Sequence, residues 1–230
     1  MISQKPQSFD PIWETIYRSG HANSYPWDAV VSFIWRHRPK IKSPADTDIL
    51  EIGCGTGPNL WFAAREGFRV SGIDASETAI IHAKERFDRE DLTGDLRVAD
   101  FTELPFENNI FDLAIDRVAI TCCGMLAASK AVSEIYRVLR VGGRFFFNAY
   151  ADGHTSQSSG RYGPDGVILD IQAGTLTGVG QIKFYTSDEI NKLFSSGWRI
   201  LSKQYVALEE HINSNIGLHC EWRIVAEKKD

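Results

Sequence analysis

Asp48-Ile49-Leu50-Glu51-Ile52-Gly53-Cys54-Gly55-Thr56-Gly57-Pro58 is the stretch that decides the architecture: a short strand that breaks into a glycine turn. An apolar stripe of Leu60, Phe62, Ala63 and Ala64 follows at helical spacing. The glycines allow backbone to approach a ligand, and some permit positive φ. A strand, glycine turn and helix in this order form a nucleotide-cofactor signature in α/β sheets. The spacing restricts the cofactor. A dinucleotide fingerprint needs a third glycine or alanine where Pro58 stands, and no lysine follows to make a phosphate loop.

The alternation continues downstream. Phe68 to Ile73 is a second strand, and Ser76 caps a helix carrying Ala79, Ile80, Ala83 and Phe87. Leu96 to Val98 and Phe111 to Ile115 are strands three and four. A helix with Ala131, Val132, Ile135, Val138 and Leu139 is expected to end at Gly142-Gly143, and Arg144 to Tyr150 is strand five. Strands separated by helices require crossovers, hence a mainly parallel sheet covered on both faces. Residues 151–166 are polar, and residues 167–184 are β-branched but interrupted by glycines, which predicts a hairpin or flap. Thr186 and Glu189 form a capping box for a last helix closed by Gly197. Residues 198–208 and 220–227 are the final strands. Upstream, a loose arm over residues 1–11 precedes helices at roughly 11–18 and 27–37.

With 230 residues and 43% apolar content, the chain suits one domain with a full core. We divide it into an N-terminal helical cap (1–44), a cofactor-binding core (45–150), an acceptor-side flap (151–184) and a C-terminal helix with strands (185–230). No apolar run has the length of a membrane span, and Met1 to Pro6 lacks the pattern of an export signal, so a cytoplasmic protein with no membrane partner is expected. The net charge of -5 disfavours a nucleic-acid partner. The basic run Arg36-His37-Arg38-Pro39-Lys40, with Lys42, reads as a solvated face. The four cysteines have no zinc-ligand spacing.

Two further features join the glycine turn. Asp74 ends strand two, where a carboxylate can accept from ribose hydroxyls. Asp100-Phe101 follows strand three, offering an acceptor and a ring to an adenine. Together with Leu104-Pro105-Phe106, Phe111 to Asp116 and Leu139-Arg140-Val141-Gly142-Gly143-Arg144, these segments resemble the class I, Rossmann-like S-adenosylmethionine-dependent methyltransferase family over about 100 residues. The resemblance extends to small bacterial methyltransferases of small-molecule or carbohydrate type. It implies a three-layer sandwich with a seven-stranded sheet of order 3-2-1-4-5-7-6, strand seven being antiparallel. It also implies S-adenosylmethionine as cofactor and S-adenosylhomocysteine as product. By the same resemblance Glu51 and the backbone of Gly53, Cys54 and Gly55 hold the methionine portion, Asp74 the ribose, and Ala75, Asp100 and Phe101 the adenine, with Asn59 a further cofactor-binding residue. Asp116 lies beside the amine and the transferring methyl, and Trp13 and Tyr17 belong to a helix that folds over the cofactor.

Methyl transfer by in-line displacement mainly needs alignment in a dry pocket. Asp116 and His154 are the candidate catalytic residues, and no metal site is expected. The expected reaction is methylation of a small-molecule acceptor, possibly carbohydrate-type, by a monomer or homodimer. The alternative is a non-catalytic cofactor-binding or regulatory subunit. Asp116-Arg117-Val118-Ala119 replaces the Asn-Pro-Pro-Tyr type of tetrapeptide used to read nucleic-acid bases.

Overall fold

The computed structural model describes residues 8–230. The first part of the expected loose arm, and the stretch read for an export signal, lie outside the described residues. Chain order is α1 (Ile12–Arg18), α2 (Asp28–His37), β1 (Asp48–Ile52), α3 (Pro58–Arg65), β2 (Arg69–Asp74), α4 (Glu77–Asp88), β3 (Asp95–Val98), β4 (Phe111–Arg117), α5 (Met125–Val138) and β5 (Leu139–Tyr150). Then come α6 (Thr155–Ser158), β6 (Arg161–Tyr162), β7 (Val167–Leu169), β8 (Ile182–Lys183), α7 (Ser187–Leu193), β9 (Trp198–Glu209) and β10 (Leu218–Lys228). Seven strands form one sheet in the order β3-β2-β1-β4-β5-β10-β9, the expected 3-2-1-4-5-7-6. β10 runs antiparallel to both neighbours, and the remaining central pairs are parallel.

The two faces of the sheet feed two separate cores, as the period-2 geometry of strands requires. Leu50, Ala114, Phe145 and Phe147 point to one face and pack with α5 and α7 residues such as Ile135 and Ile190. Ile49, Leu113, Ile115 and Phe146 point to the other and meet α2, α3 and α4 through Ile34, Leu60 and Ile80. Removing a ring as buried as Phe147 from such a core costs about 3–5 kcal/mol. No helix among the described residues is long and apolar enough to cross a membrane.

Local signals decide the boundaries. Ser76 accepts from the Ala79 amide to start α4, and Thr186 and Glu189 make the predicted capping box for α7. One boundary differs from expectation. α5 stops at Val138, four residues before Gly142-Gly143, because Leu139 is already extended and pairs with Phe111. The glycines instead take up a bulge in β5, with Gly142 at φ +76°, before pairing resumes at Arg144.

The N-terminal helices also separate in role. α2 is a core helix: Val30, Phe33 and Ile34 are buried, and Phe33 stacks on Phe146 at 5.3 Å. Only α1 lies over the strand ends. The basic run divides likewise. Arg36 and Lys40 are exposed, but Lys42 reaches buried Asp112 at 2.7 Å, where Arg140 joins at 3.0 Å. This network pins the N-terminal ends of β1, β4 and β5. The flap is a three-stranded antiparallel sheet, β6-β7-β8, with its own small core of Ile168, Ile171, Leu176, Ile182 and Phe184 against Cys122. All four cysteines are free and buried.

Candidate active site

The C-terminal ends of β1, β2 and β4 open into a cavity of about 710 Å³. That is where open α/β sheets hold ligands, and the volume suits a cofactor with a small partner. The glycine turn forms one wall. Gly53, at φ +60°, lies so close to Ala119 that an added Cβ would come within 2.2 Å of the Ala119 Cβ. At Gly55, φ +54°, an added Cβ would stand 2.7 Å from the Tyr17 hydroxyl. Pro58 has a local reason to replace a third glycine: it is the first residue of α3, where its missing N–H and fixed φ suit a helix start.

Asp74 clamps this loop from β2. One carboxylate oxygen accepts from the Gly55 amide and the other from the Ser76 amide, both at 2.9 Å. Burial still raises its pKa above the usual carboxylate range. Glu51, at the end of β1, is 1% exposed; its Oε1 accepts from Asn59 at 2.7 Å. Asn59 in turn accepts from the Trp27 amide at 3.0 Å, tying the start of α2 to the site. Asp116, at the end of β4, is fully buried, and its Oδ1 accepts from the Ala119 and Ile120 amides. Glu51 Oε2 and Asp116 Oδ2 are buried with no hydrogen-bond partner among the described residues. Burial pushes Glu51 up to about 8, with Asp116 and Asp74 adding like-charge repulsion, and burial pushes Asp116 up to about 7.

α1 closes the cavity from above. Its Glu14 accepts from the Ser76 hydroxyl at 2.5 Å and the Thr78 hydroxyl at 2.6 Å, contacts that hold its pKa down at about 2. Before the helix, Asp10 accepts from the Gln181 amide of the flap at 3.0 Å. Trp13 and Tyr17 line the cavity with ring centroids 6.0 Å apart, and burial holds the Tyr17 phenol well above its ordinary pKa.

Of the residues read from sequence, the cavity brings together Trp13, Tyr17, Glu51, Gly53, Cys54, Gly55, Asn59, Asp74, Ala75 and Phe101. Asp116 stands directly behind the wall. Asp100 is not on the lining; its Oδ1 accepts from the Thr102 amide and hydroxyl at 2.8 Å. His154 is 1% exposed and also off the lining. It caps α6 by accepting from the Ser156 amide, and its Nε2 lies 3.2 Å from His219 Nδ1. Burial lowers its pKa to about 4. His219 itself does line the cavity, within 2.9 Å of the Thr175 hydroxyl.

Sequence reasoning missed Arg117, Tyr150, Trp27, Thr175 and His219, all on the cavity wall. Tyr150 and Arg117 are the last residues of β5 and β4, a positional signal that strand ends alone provide. Val118, at φ +56°, is a β-branched residue in left-handed backbone, which marks the tight turn that aims Arg117 and Ala119. Among the described residues no group of three or more His, Cys, Asp or Glu is arranged to hold a metal.

A methyltransferase domain family model matches residues 49–143, the span of these loops. The sheet order and layers are those of the Rossmann-like fold that class I S-adenosylmethionine-dependent methyltransferases share, and the matched core is similar to their domain. The chain is 31% identical over 164 residues to a sarcosine/dimethylglycine N-methyltransferase of Aphanothece halophytica, covering 69% of this chain and 56% of that one. It is 32% identical over 117 residues to a malonyl-[acyl-carrier protein] O-methyltransferase of Buchnera aphidicola, covering 50% and 44%. The chain thus spans about half the length of these curated relatives. In fold it is similar to the Burkholderia thailandensis 1,6-didemethyltoxoflavin-N1-methyltransferase, solved with bound 1,6-didemethyltoxoflavin and S-adenosylhomocysteine (TM-score 0.68, 18% identity, 100% of this chain and 93% of that one). A Methanosarcina mazei methyltransferase superposes with TM-score 0.71 at 20% identity, covering 89% and 99%. In this chain, residues of α1 and of the flap complete the lining of the cavity at the strand ends.

Proposed function

We propose that this chain transfers a methyl group from S-adenosylmethionine to a small-molecule acceptor. The observation that carries the reading is the trio Glu51, Asp74 and Asp116, with two buried carboxylate oxygens lacking partners. Such a cluster is stabilised by a cationic ligand, since an opposite charge offsets both desolvation and mutual repulsion. The residues fit the cofactor in detail. Glu51 would take the amine, Asp74 the ribose hydroxyls through its remaining lone pairs, and Gly53 to Gly55 the close backbone approach. Ala75, Ala99 and Phe101 supply an apolar slot for a flat base. When bound, S-adenosylmethionine supplies an electrophilic methyl on a sulfonium. The chain's part is to orient an acceptor toward it and exclude water, through α1 and the flap of residues 151–184.

Relatives of this chain carry names for both O- and N-methylation, so the acceptor atom follows from pocket shape rather than from the cofactor loop. In our reading the acceptor enters between Tyr150, Thr175 and His219, and a carbohydrate-type acceptor is one class these polar groups suit. His154 then acts as a positioning residue behind His219. Calorimetric titration with S-adenosylhomocysteine and with NADH tests the cofactor, and isotope-labelled S-adenosylmethionine with cell extract tests turnover. Binding of NADH but not S-adenosylhomocysteine would overturn the reading. Binding without any labelled product would favour a regulatory subunit.

A further inference from the structure

Arg117 ends β4, and its contacts with Trp27 and Tyr150 leave part of its guanidinium without an acceptor. Among the described residues it is the sole lysine or arginine on the cavity wall. Its guanidinium lies over the Trp27 ring, 3.9 Å from the centroid, which fixes the plane of the group. It also reaches Tyr150, whose phenol stays protonated because burial raises it to about 12. Its Nη1 is buried without a hydrogen-bond partner among the described residues, and no ion pair to Arg117 forms among them. A buried, oriented guanidinium N–H without an acceptor is a binding group waiting for an anion.

The surrounding carboxylates do not fill that place. Glu51, Asp116 and Glu221 act on Arg117 through space only. Glu221 is engaged by Arg223 at 2.6 Å. The acids nearer the mouth are occupied as well. Asp10 accepts from Ile12 and Gln181 amides, Glu210 from Ile212 and Asn213 amides, and Glu209 leans toward His211. The planar fork of arginine matches a carboxylate with two parallel hydrogen bonds. Beside it, the Tyr150 hydroxyl can donate to the same group.

We propose that Arg117, resting on Trp27 and flanked by Tyr150, binds a carboxylate of the methyl acceptor and so selects acidic acceptors. The proposal rests on the methyltransferase reading for the word acceptor, but not for the carboxylate site itself. The test uses the whole protein with small acids paired with their amides: acetate and acetamide, malonate and malonamide, benzoate and benzamide. Thermal stabilisation is measured with and without saturating S-adenosylhomocysteine, for wild type, Arg117→Lys and Arg117→Gln. At least one acid should stabilise the wild type more than its amide. Arg117→Gln should abolish that preference, and Arg117→Lys should keep part of it, having charge without the fork. The Kd for S-adenosylhomocysteine should move by less than about threefold in both variants. Acids and amides behaving alike in the wild type would overturn the proposal, as would an acid preference that survives in Arg117→Gln. A loss of S-adenosylhomocysteine affinity beyond about tenfold would instead assign Arg117 to the carboxylate of the cofactor. If S-adenosylhomocysteine fails to bind the wild type, the methyltransferase reading falls, while an Arg117-dependent acid preference still supports the carboxylate site.

Discussion

Replacing Glu51 with Gln separates what the site costs the fold from what it gives the ligand. Glu51 is buried with its native pKa raised from 4.5 to about 8. Below pH 4.5 both folded and unfolded chains carry the proton, and the group contributes nothing. Between 4.5 and 8 the native state keeps a proton that the unfolded state has lost, so stability falls as pH rises. At about 1.4 kcal/mol per unit, the penalty is ~3 kcal/mol at pH 7 and ~5 kcal/mol above the native pKa. Gln keeps the shape and the acceptor that Asn59 uses, and removes the titration. Glu51→Gln should therefore be more stable than wild type in urea at pH 8, and the advantage should vanish near pH 4.5. Its ligand affinity should move the other way. Losing a charge-assisted hydrogen bond to the ligand's ammonium group costs ~2–3 kcal/mol, roughly a 30- to 150-fold rise in Kd for S-adenosylhomocysteine. Binding should also expel a proton from wild-type Glu51 at pH 7, visible by calorimetry in buffers of different ionisation enthalpy, and the variant should release less, since only Asp116, at about 7, still carries a proton to lose. Parallel stability–pH curves for the two proteins, or a Kd unchanged by the substitution, would refute this account of the carboxylate cluster.

Other outcomes follow from single contacts. Gly53→Ala forces a Cβ to within 2.2 Å of Ala119 at positive φ, and should lower stability by about 3 kcal/mol in urea denaturation. His154 has its pKa lowered to about 4, so its contribution is present above 6.5 and lost as pH falls toward 4. His154→Gln should flatten the stability profile across that window, as read by thermal melts at closely spaced pH values. Ser76 and Thr78 donate to different oxygens of Glu14, so Glu14→Gln keeps one acceptor and replaces the other with an NH2 donor. It should speed tryptic cleavage after Arg18 and weaken S-adenosylhomocysteine binding severalfold, while leaving the urea midpoint of the sheet core unchanged.

The parts of the fold legible in the sequence are those written in local physics. The glycine turn, the Ser76 cap, the Thr186–Glu189 box and the apolar runs of β1, β4 and β5 each need only a few neighbouring residues to be understood. The sheet order came through resemblance, because crossover choice is not a local property. The division between α1 and α2 was not legible: both show aromatic residues at helical spacing, and only tertiary packing distinguishes a helix on the sheet from one over its ends. His219 was invisible for a different reason. β10 begins at Leu218, three residues before its pairing with β5 starts at Glu221, and this overhang carries the hairpin into the cavity. Nothing in a short window specifies an overhang. Arg117 was visible as a residue but not as a contact, since its partner Trp27 lies 90 positions away in a different element.

α1 touches both halves of the cavity at once. Tyr17 stands over Gly55 on the nucleotide side, while Trp13 packs on the small core of the flap and Asp10 anchors a flap amide. A helix of seven residues is too short to bend in the middle, so it cannot leave one half and stay seated on the other. On the proposed function, the free energy that settles it is shared by two ligands that never need to touch the same atoms. Thermodynamic linkage then runs in both directions: the factor by which a bound nucleotide tightens the acceptor is the factor by which the acceptor tightens the nucleotide. With both ligands bound as proposed, seven residues at the edge of the molecule would make two binding equilibria into one.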